Sequence, residues 1–146
     1  MKAILISATI LGLTLAPQVA NTRSTEQQCL ALNLFYEANN SSRTDMVAVG
    51  HVTLNRVKSN KFPKTICGVI HQKGQFSWIS VAKKTPNSKD FFESEKIANQ
   101  LLNNEIVDNT NGALYFYNYR RIKNPAWSKH MTITLQTNVH RYLKAV

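Results

Sequence analysis

Residues 29–38 read CLALNLFYEA, and this segment joins the apolar stripe of a helix to a carboxyl in an unusual place. At about 100° per residue, Leu30, Leu34 and Glu37 project in nearly one direction. A surface Glu would lie on the polar face, so folding should draw this carboxylate partly out of water and raise its pKa. Glu37 is therefore a candidate general acid, although a helix-end Glu paired with a nearby cation would fit the same pattern.

The length and composition predict one folded domain. A chain of 146 residues with 43% hydrophobic residues is large enough to bury a core, and its composition excludes a disordered protein. The predicted helices are residues 24–38, 44–58, 64–71 and 89–104, with Ser24 or Thr25, Thr44 and Ser88 as N-caps. Residues 75–78 are predicted as a loop or short strand, and residues 113–117 and 131–136 as strands. This order favours the α+β class.

The N-terminal segment has the features of an export signal. Lys2 precedes an apolar run, AILISATILGLTLA, over residues 3–16. The run of about 14 residues is short for a bilayer span, which needs about 20. We expect residues 1–22 to be a signal peptide or releasable signal anchor with transient membrane association. Residues 23–146 would then be the exported domain, in the periplasm or cell envelope.

Export bears on the two cysteines, Cys29 and Cys67. In an oxidising compartment the simplest prediction is one disulfide, which would tie the first helix to the segment around Cys67. The alternative is a zinc site, because Cys67 and His71 have the spacing of half a zinc motif and His51 would be a third ligand. Since no second ligand pair completes that set, we expect no metal.

The charge balance indicates a polyanionic partner. Eighteen Lys and Arg against eight Asp and Glu give a net charge of +10. A basic exported protein meets wall carboxylates, anionic wall polymers, lipid head groups or nucleic acid. The densest basic cluster, interleaved with aromatic rings, comprises Tyr119, Arg120, Arg121, Lys123, Trp127 and Lys129. It fits single-stranded nucleic acid or a sugar groove. No nucleic-acid motif accompanies it, so we expect no nucleic-acid partner.

A family resemblance emerges from the order of the segments. After CLALNLFYEA come MVAVGHVTLNRVKS (46–59), KFPKTICGVIHQKGQFSW (61–78), GALYFYN (112–118), the region of Trp127, and NVHRYL (138–143). In this order the chain resembles the SleB-type cell wall hydrolases, the spore-cortex-lytic enzyme family found in bacteria and in phages as lysis proteins. The resemblance spans residues 28–143, nearly the whole chain after the export segment.

The resemblance implies a helix-dominated, lysozyme-like single domain with a small antiparallel sheet and no cofactor. It implies lytic transglycosylase activity on peptidoglycan, giving 1,6-anhydro-muropeptides, as in a phage-type endolysin. The family's catalytic acid is the Glu of an aromatic-x-Glu-Ala-Arg motif, which corresponds here to Glu37 within Phe35-Tyr36-Glu37-Ala38. This chain departs from the motif directly afterwards, because residues 39–42 read NNSS instead of beginning with Arg-Gly-Glu.

The number of nearby carboxyls agrees with this chemistry. Hydrolysing glycosidases ordinarily use two carboxylates that flank the scissile bond. Only Asp45 is close to Glu37 in sequence, and its place in the first turn of the second helix is a sufficient structural role. A lytic transglycosylase needs one acid, which protonates the glycosidic oxygen and then removes the proton from the sugar's own 6-hydroxyl.

Further residues are predicted to bind the glycan. They offer rings, amides and a hydroxyl: Gln75, Ser77, Trp78, Tyr115, Tyr117, Asn118, Trp127 and His140. We expect Tyr115, Tyr117 and Asn118 to share one face of a strand, with Phe116 facing the core. The alternatives are a loop packed by its own aromatics, a Trp127 that covers the sheet, and a structural His140. We interpret Asn55 and Arg56 as a buried structural pair.

The sequence thus predicts an exported, monomeric lytic transglycosylase that acts on peptidoglycan glycan strands. The first alternative is a catalytically weak wall-binding protein that keeps the fold, motivated by the altered residues 39–42. A hydrolytic muramidase is another.

Overall fold

The computed structural model describes residues 19–80 and 85–146, with side chains described from residue 25 onward. This part of the chain forms four α-helices followed by three strands. They are α1 (Val19–Ala38), α2 (Arg43–Lys58), α3 (Ile66–His71), α4 (Lys89–Leu102), β1 (Tyr115–Asn118), β2 (Met131–Gln136) and β3 (His140–Ala145). Two short 3-10 segments cover Ser77–Ser80 and Ala126–Ser128. The predicted α+β order is confirmed.

The core lies where α1 packs against α2 and α4. Leu30 and Leu34 of α1 are fully buried, as the apolar stripe predicts. Gly50 allows α2 to approach closely, since a Cβ there would lie 2.3 Å from Cδ1 of Leu101 on α4. Leu101 is itself buried, so it has little room to move. This packing fixes the C-terminal end of α1, where Glu37 lies.

Two of the predicted helix starts are wrong. The first helix begins at Val19 and runs through Ser24 and Thr25, so neither residue is its N-cap. The second helix is capped by Ser42 and not by Thr44, because the Ser42 hydroxyl accepts a hydrogen bond from the Asp45 amide at 3.2 Å. The Ser88 cap of α4 is confirmed by the same kind of bond from the Phe91 amide.

The sheet is antiparallel, with the order β1-β3-β2. Its central strand, β3, was not predicted as a strand, although its residues form part of the NVHRYL motif. Tyr142 and Leu143 of β3 are buried, and Tyr142 lies in the same core cluster as the helices. β3 therefore anchors the sheet to the helices and brings His140 toward α1 and α2.

The predicted disulfide between Cys29 and Cys67 is present and joins α1 to α3. Because the sulfur of Cys67 is bonded to that of Cys29, Cys67 is not a ligand for the alternative zinc site. The carboxylate of Glu26 reinforces the same junction by accepting hydrogen bonds from the amides of Ile66 and Cys67 at the start of α3.

The predicted export segment lies mostly outside the described residues. Residues 1–18 are not among them, and the expected boundary at residue 22 falls within α1. In the part of the chain that is described, no helix is both long and apolar enough to span a bilayer.

Candidate active site

Glu37 occupies the last turn of α1, where it continues the buried stripe of Leu30 and Leu34. It is half-buried and lines two neighbouring cavities, one of about 260 Å³ and one of about 540 Å³. Asn118 and His140 also line both cavities. Glu37 therefore lies at the junction of a two-part cleft.

The surroundings of Glu37 favour its protonated form. Burial raises the pKa of this carboxyl, and the nearby His140 and Arg56 oppose the rise without cancelling it. Its oxygens form no hydrogen bond with any other described residue. The direction predicted from the helical pattern is confirmed, and the group can donate a proton into the cleft.

A second carboxylate, Asp45, lies nearby but is fully engaged. It is 1% exposed and accepts hydrogen bonds from the His140 ring Nδ1 at 2.8 Å, the Tyr142 hydroxyl at 2.7 Å and the Thr137 hydroxyl at 2.5 Å. Burial alone would raise the pKa of Asp45, but these bonds outweigh burial and hold it below its ordinary value. Asp45 is thus an ionised structural anchor for the sheet, as well as a first-turn residue of α2.

The same network fixes His140. The ionised Asp45 carboxylate can only accept a hydrogen bond, so Nδ1 of His140 carries the hydrogen and donates it. Nε2 takes no part in this bond. His140 is 4% exposed and packs edge-on against Phe116. His140 thus borders both cavities, and its hydrogen bond to Asp45 also gives it the structural role named as the alternative.

Arg56 is a site residue that the sequence interpretation placed only in a structural network. Its side chain is 5% exposed, lines the larger cavity with Glu37, and donates from Nε to the Leu114 carbonyl at 2.7 Å. Burial lowers its pKa to about 10, with Tyr115 and Glu37 opposing, so it remains a cation at neutral pH. The sequence indication was a charged residue within the apolar pattern of α2, VTLNRV.

The smaller cavity is bounded by α1 and the 3-10 turn that contains Trp78. The Trp78 ring stacks on Tyr36 with centroids 4.8 Å apart, and its indole nitrogen donates to Asn33 at 3.3 Å. Only 8% of Trp78 is exposed, so one ring face is already occupied by protein. Ser77 and residues 39–41 of the divergent loop complete the lining on this side, together with Arg121.

The larger cavity is bounded by aromatic rings. Tyr115 and Tyr117 both contact Trp127, at centroid distances of 6.1 and 5.7 Å, which agrees with their predicted common face. Asn118 does not share that face, because strand alternation places it with Phe116. Trp127 is 46% exposed at the cavity wall, and the exposed Gln75 lies on the same rim.

The basic cluster of residues 119–129 lies beside this cleft. The side chains of Arg120, Arg121, Lys123 and Lys129 are all exposed. Arg121 lines the smaller cavity, and its neighbour Ile122 lines the larger one. Of the two interpretations of this cluster, its position at the mouth of a concave, aromatic-walled cleft favours the sugar groove.

Comparisons with known proteins give a consistent result. The profile of the family described as Cell Wall Hydrolase matches residues 40–143, beginning three positions after Glu37. The catalytic domain of the Bacillus cereus SleB protein is similar, with 28% identity, a TM-score of 0.67, and coverage of 82% of this chain and 91% of that one. The catalytic domain of the germination-specific lytic transglycosylase SleB from Bacillus anthracis has 26% identity and a TM-score of 0.69, with coverage of 88% and 100%. No curated protein sequence matches the chain.

Proposed function

This chain belongs to the Cell Wall Hydrolase family, and we propose that it is a lytic transglycosylase that cleaves peptidoglycan with Glu37 as its only acid and base. The bond cleaved is that between N-acetylmuramic acid and N-acetylglucosamine. The fold is that of the SleB catalytic domain, and one of the two SleB structures is described as a lytic transglycosylase. The proposal extends that activity to this chain.

One observation carries the proposal. Glu37 is the only carboxyl among the described residues that line either cavity, and burial raises its pKa. Asp45 is not available as a second catalytic carboxylate, since three donors hold it inside the protein. A two-carboxylate hydrolase would need such a partner across the scissile bond.

The reaction follows from a single carboxyl that changes its protonation state. Protonated Glu37 donates its proton to the glycosidic oxygen, the bond from that oxygen to C1 of the muramic acid breaks, and the glucosamine leaves as an alcohol. The acetamido group of the muramic acid assists at C1. The Glu37 carboxylate then removes the proton of the 6-hydroxyl, and O6 bonds to C1. This step restores the acid and consumes no water.

The remaining cleft residues are proposed to hold the glycan strand. Trp127 and Tyr115 offer ring faces for pyranose stacking, whereas Gln75, Ser77 and Asn118 offer amides and a hydroxyl. Tyr117 supports Trp127, His140 borders both cavities, and Trp78 forms a wall through its edge. The exposed Arg121 is placed to meet carboxylates of the stem peptides.

The proposed cellular context rests mainly on the N-terminal sequence. Residues 1–22 would direct export as a signal peptide or releasable anchor, and residues 23–146 would act in the periplasm or envelope as a monomer. The endolysin role belongs to the same proposal. The Cys29–Cys67 disulfide is the structural feature that agrees with an oxidising compartment.

A wall-binding protein with little activity is the second candidate function. It is favoured by one observation, that the divergent residues 39–41 line the smaller cavity beside Glu37. Loss of the family's Arg at position 39 removes a cation from this side of the acid.

Release of dye-labelled peptidoglycan separates the two candidates. We expect the wild type to release dye and Glu37→Gln to lose activity by roughly 100-fold or more while still sedimenting with the wall. Glu93→Gln is the matched control, because it removes an exposed carboxylate of α4 whose one ion pair within the described residues is with Arg43. Sedimentation without dye release by the wild type would favour the binding protein.

A further inference from the structure

Arg56 lines the larger cavity and carries a donor that is unused within the described part of the protein. Its Nη1 is buried and has no hydrogen-bond partner among the described residues, although the group is a cation. Leaving a buried charged donor unpaired is costly, and such groups in native structures are normally satisfied. The unpaired nitrogen therefore indicates a place for an oxygen acceptor.

The position of this donor is fixed by the protein. The guanidinium carbon lies 5.2 Å from the centre of the Phe62 ring and 5.7 Å from that of Phe76, and Nε is held by the Leu114 carbonyl. These contacts hold the guanidinium in a rigid, largely apolar setting. The side chain also lines the larger cavity together with Glu37 and Tyr115.

On these grounds we infer that Arg56 binds an amide carbonyl oxygen of the glycan in the larger cavity, through its unpaired Nη1–H. This inference rests on the proposed function. An amide carbonyl accepts a hydrogen bond from a guanidinium without adding a second negative charge beside Glu37. Its apolar substituent would also suit the aromatic walls formed by Tyr115 and Trp127.

Peptidoglycan offers this chemistry from two sources. One is the acetamido group of each sugar, and the other is the amide that joins muramic acid to its stem peptide. Glycan strands freed of peptide by an amidase retain the first source and lack the second. The same strands after chemical N-deacetylation lack both.

Binding in the absence of turnover tests the inference. Dissociation constants are measured by calorimetry with intact, peptide-free and N-deacetylated strands, for the Glu37→Gln protein with and without Arg56→Met. We expect Arg56→Met to weaken binding of intact strands by roughly 10-fold or more. The penalty persists on peptide-free strands if the acetamido group is the acceptor, and it vanishes on them if the stem amide is.

Asn55→Ala is the matched control. Asn55 precedes Arg56 in α2 and, like Arg56, donates hydrogen bonds to the segment before β1. Its acceptors are Asp108 and the Ala113 carbonyl, and it does not line the cavity. It should lower thermal stability and leave the dissociation constant unchanged. If Arg56→Met does not fold, Arg56→Lys keeps the charge without the planar fork and should also bind more weakly than the Asn55→Ala protein.

Three results would overturn the inference. The first is equal binding of intact strands with and without Arg56→Met, and the second is an undiminished Arg56 penalty on N-deacetylated strands. The third is an equal loss of affinity in Asn55→Ala, which would assign Arg56 a purely structural role. Failure of the Glu37→Gln protein to bind any strand would contradict the proposed function, and the inference would fall with it.

Discussion

At the scale of residues, the surroundings of two carboxyls close in sequence shift their pKa values in opposite directions. Glu37 and Asp45 both lie at the junction of α1 and α2, yet burial raises the pKa of the first while hydrogen bonds lower that of the second. The direction for Glu37 could be predicted, because it depends on a helical stripe only eight residues long. The network around Asp45 could not, because its donors lie more than ninety positions away.

Replacing Glu37 by Gln should not destabilise the protein at neutral pH. Its pKa is raised in the folded state, so ionisation costs folding free energy above the unfolded pKa of about 4.3 and costs none below it. We expect the melting temperature of Glu37→Gln to equal or exceed that of the wild type at pH 7. Any gain in melting temperature over the wild type should disappear below about pH 4. A lower melting temperature at pH 7 would show that the carboxylate is a stabilising group.

Replacing Asp45 by Asn should have the opposite effect. The Asp45 carboxylate is buried and its pKa is lowered in the folded state. Its contribution to the free energy of unfolding is therefore present above the pKa of the unfolded chain, and it is lost as the pH falls through the pKa of the folded protein. We expect Asp45→Asn to lose about 3 kcal/mol of unfolding free energy at pH 7, measured by urea denaturation. The difference from wild type should shrink as the pH falls below about 4. A pH-independent difference would contradict the assigned ionised state.

At the scale of elements, local patterns located the helices better than the sheet. The ends of α1 and α2 and the cap of α4 follow from periodicity and capping chemistry. Ser42 is the cap because its hydroxyl accepts a hydrogen bond from the Asp45 amide, whereas Thr44 already lies within the helix. β3 was missed because His140 and Arg141 interrupt any apolar run. Its burial arises from pairing on both sides with β1 and β2.

The disulfide should contribute most of the rigidity between α1 and α3. It closes a loop with a sequence separation of 38, for which the chain-entropy relation gives about 3–4 kcal/mol. We expect the double variant Cys29→Ser, Cys67→Ser to lose a free energy of this size in chemical denaturation. Reduction of the wild type should cause a similar loss. An unchanged midpoint after reduction would mean that Glu26 and the core alone secure α3.

At the scale of the whole molecule, the candidate site is assembled from elements far apart in sequence. Glu37 comes from α1, Arg56 from α2, Asn118 from β1 and His140 from β3. No local pattern could show that these residues converge. Glu37, Asn118 and His140 were predicted as site residues from the sequence, whereas Arg56 required the fold.

The charge of the whole molecule should govern its attachment to the wall. The net charge is +10, and a basic cluster flanks the cleft. Raising the salt concentration from 0.1 to 1 M shortens the screening length from about 10 to about 3 Å. We expect the fraction of Glu37→Gln protein that sediments with peptidoglycan to fall steeply over this range of salt. Adding Arg121→Gln should make this fraction depend less steeply on the salt concentration. Salt-independent attachment would assign binding to the aromatic walls alone.

The products of digestion test the central claim most directly. Purified peptidoglycan is digested by the wild type in ¹⁸O-labelled water, and the fragments are analysed by mass spectrometry with Glu37→Gln as the blank. A lone acid/base that uses the sugar's own 6-hydroxyl predicts 1,6-anhydro fragments, each lighter than the hydrolysis product by one water and free of ¹⁸O. Reducing-end fragments that carry ¹⁸O, or equal release by Glu37→Gln, would contradict it.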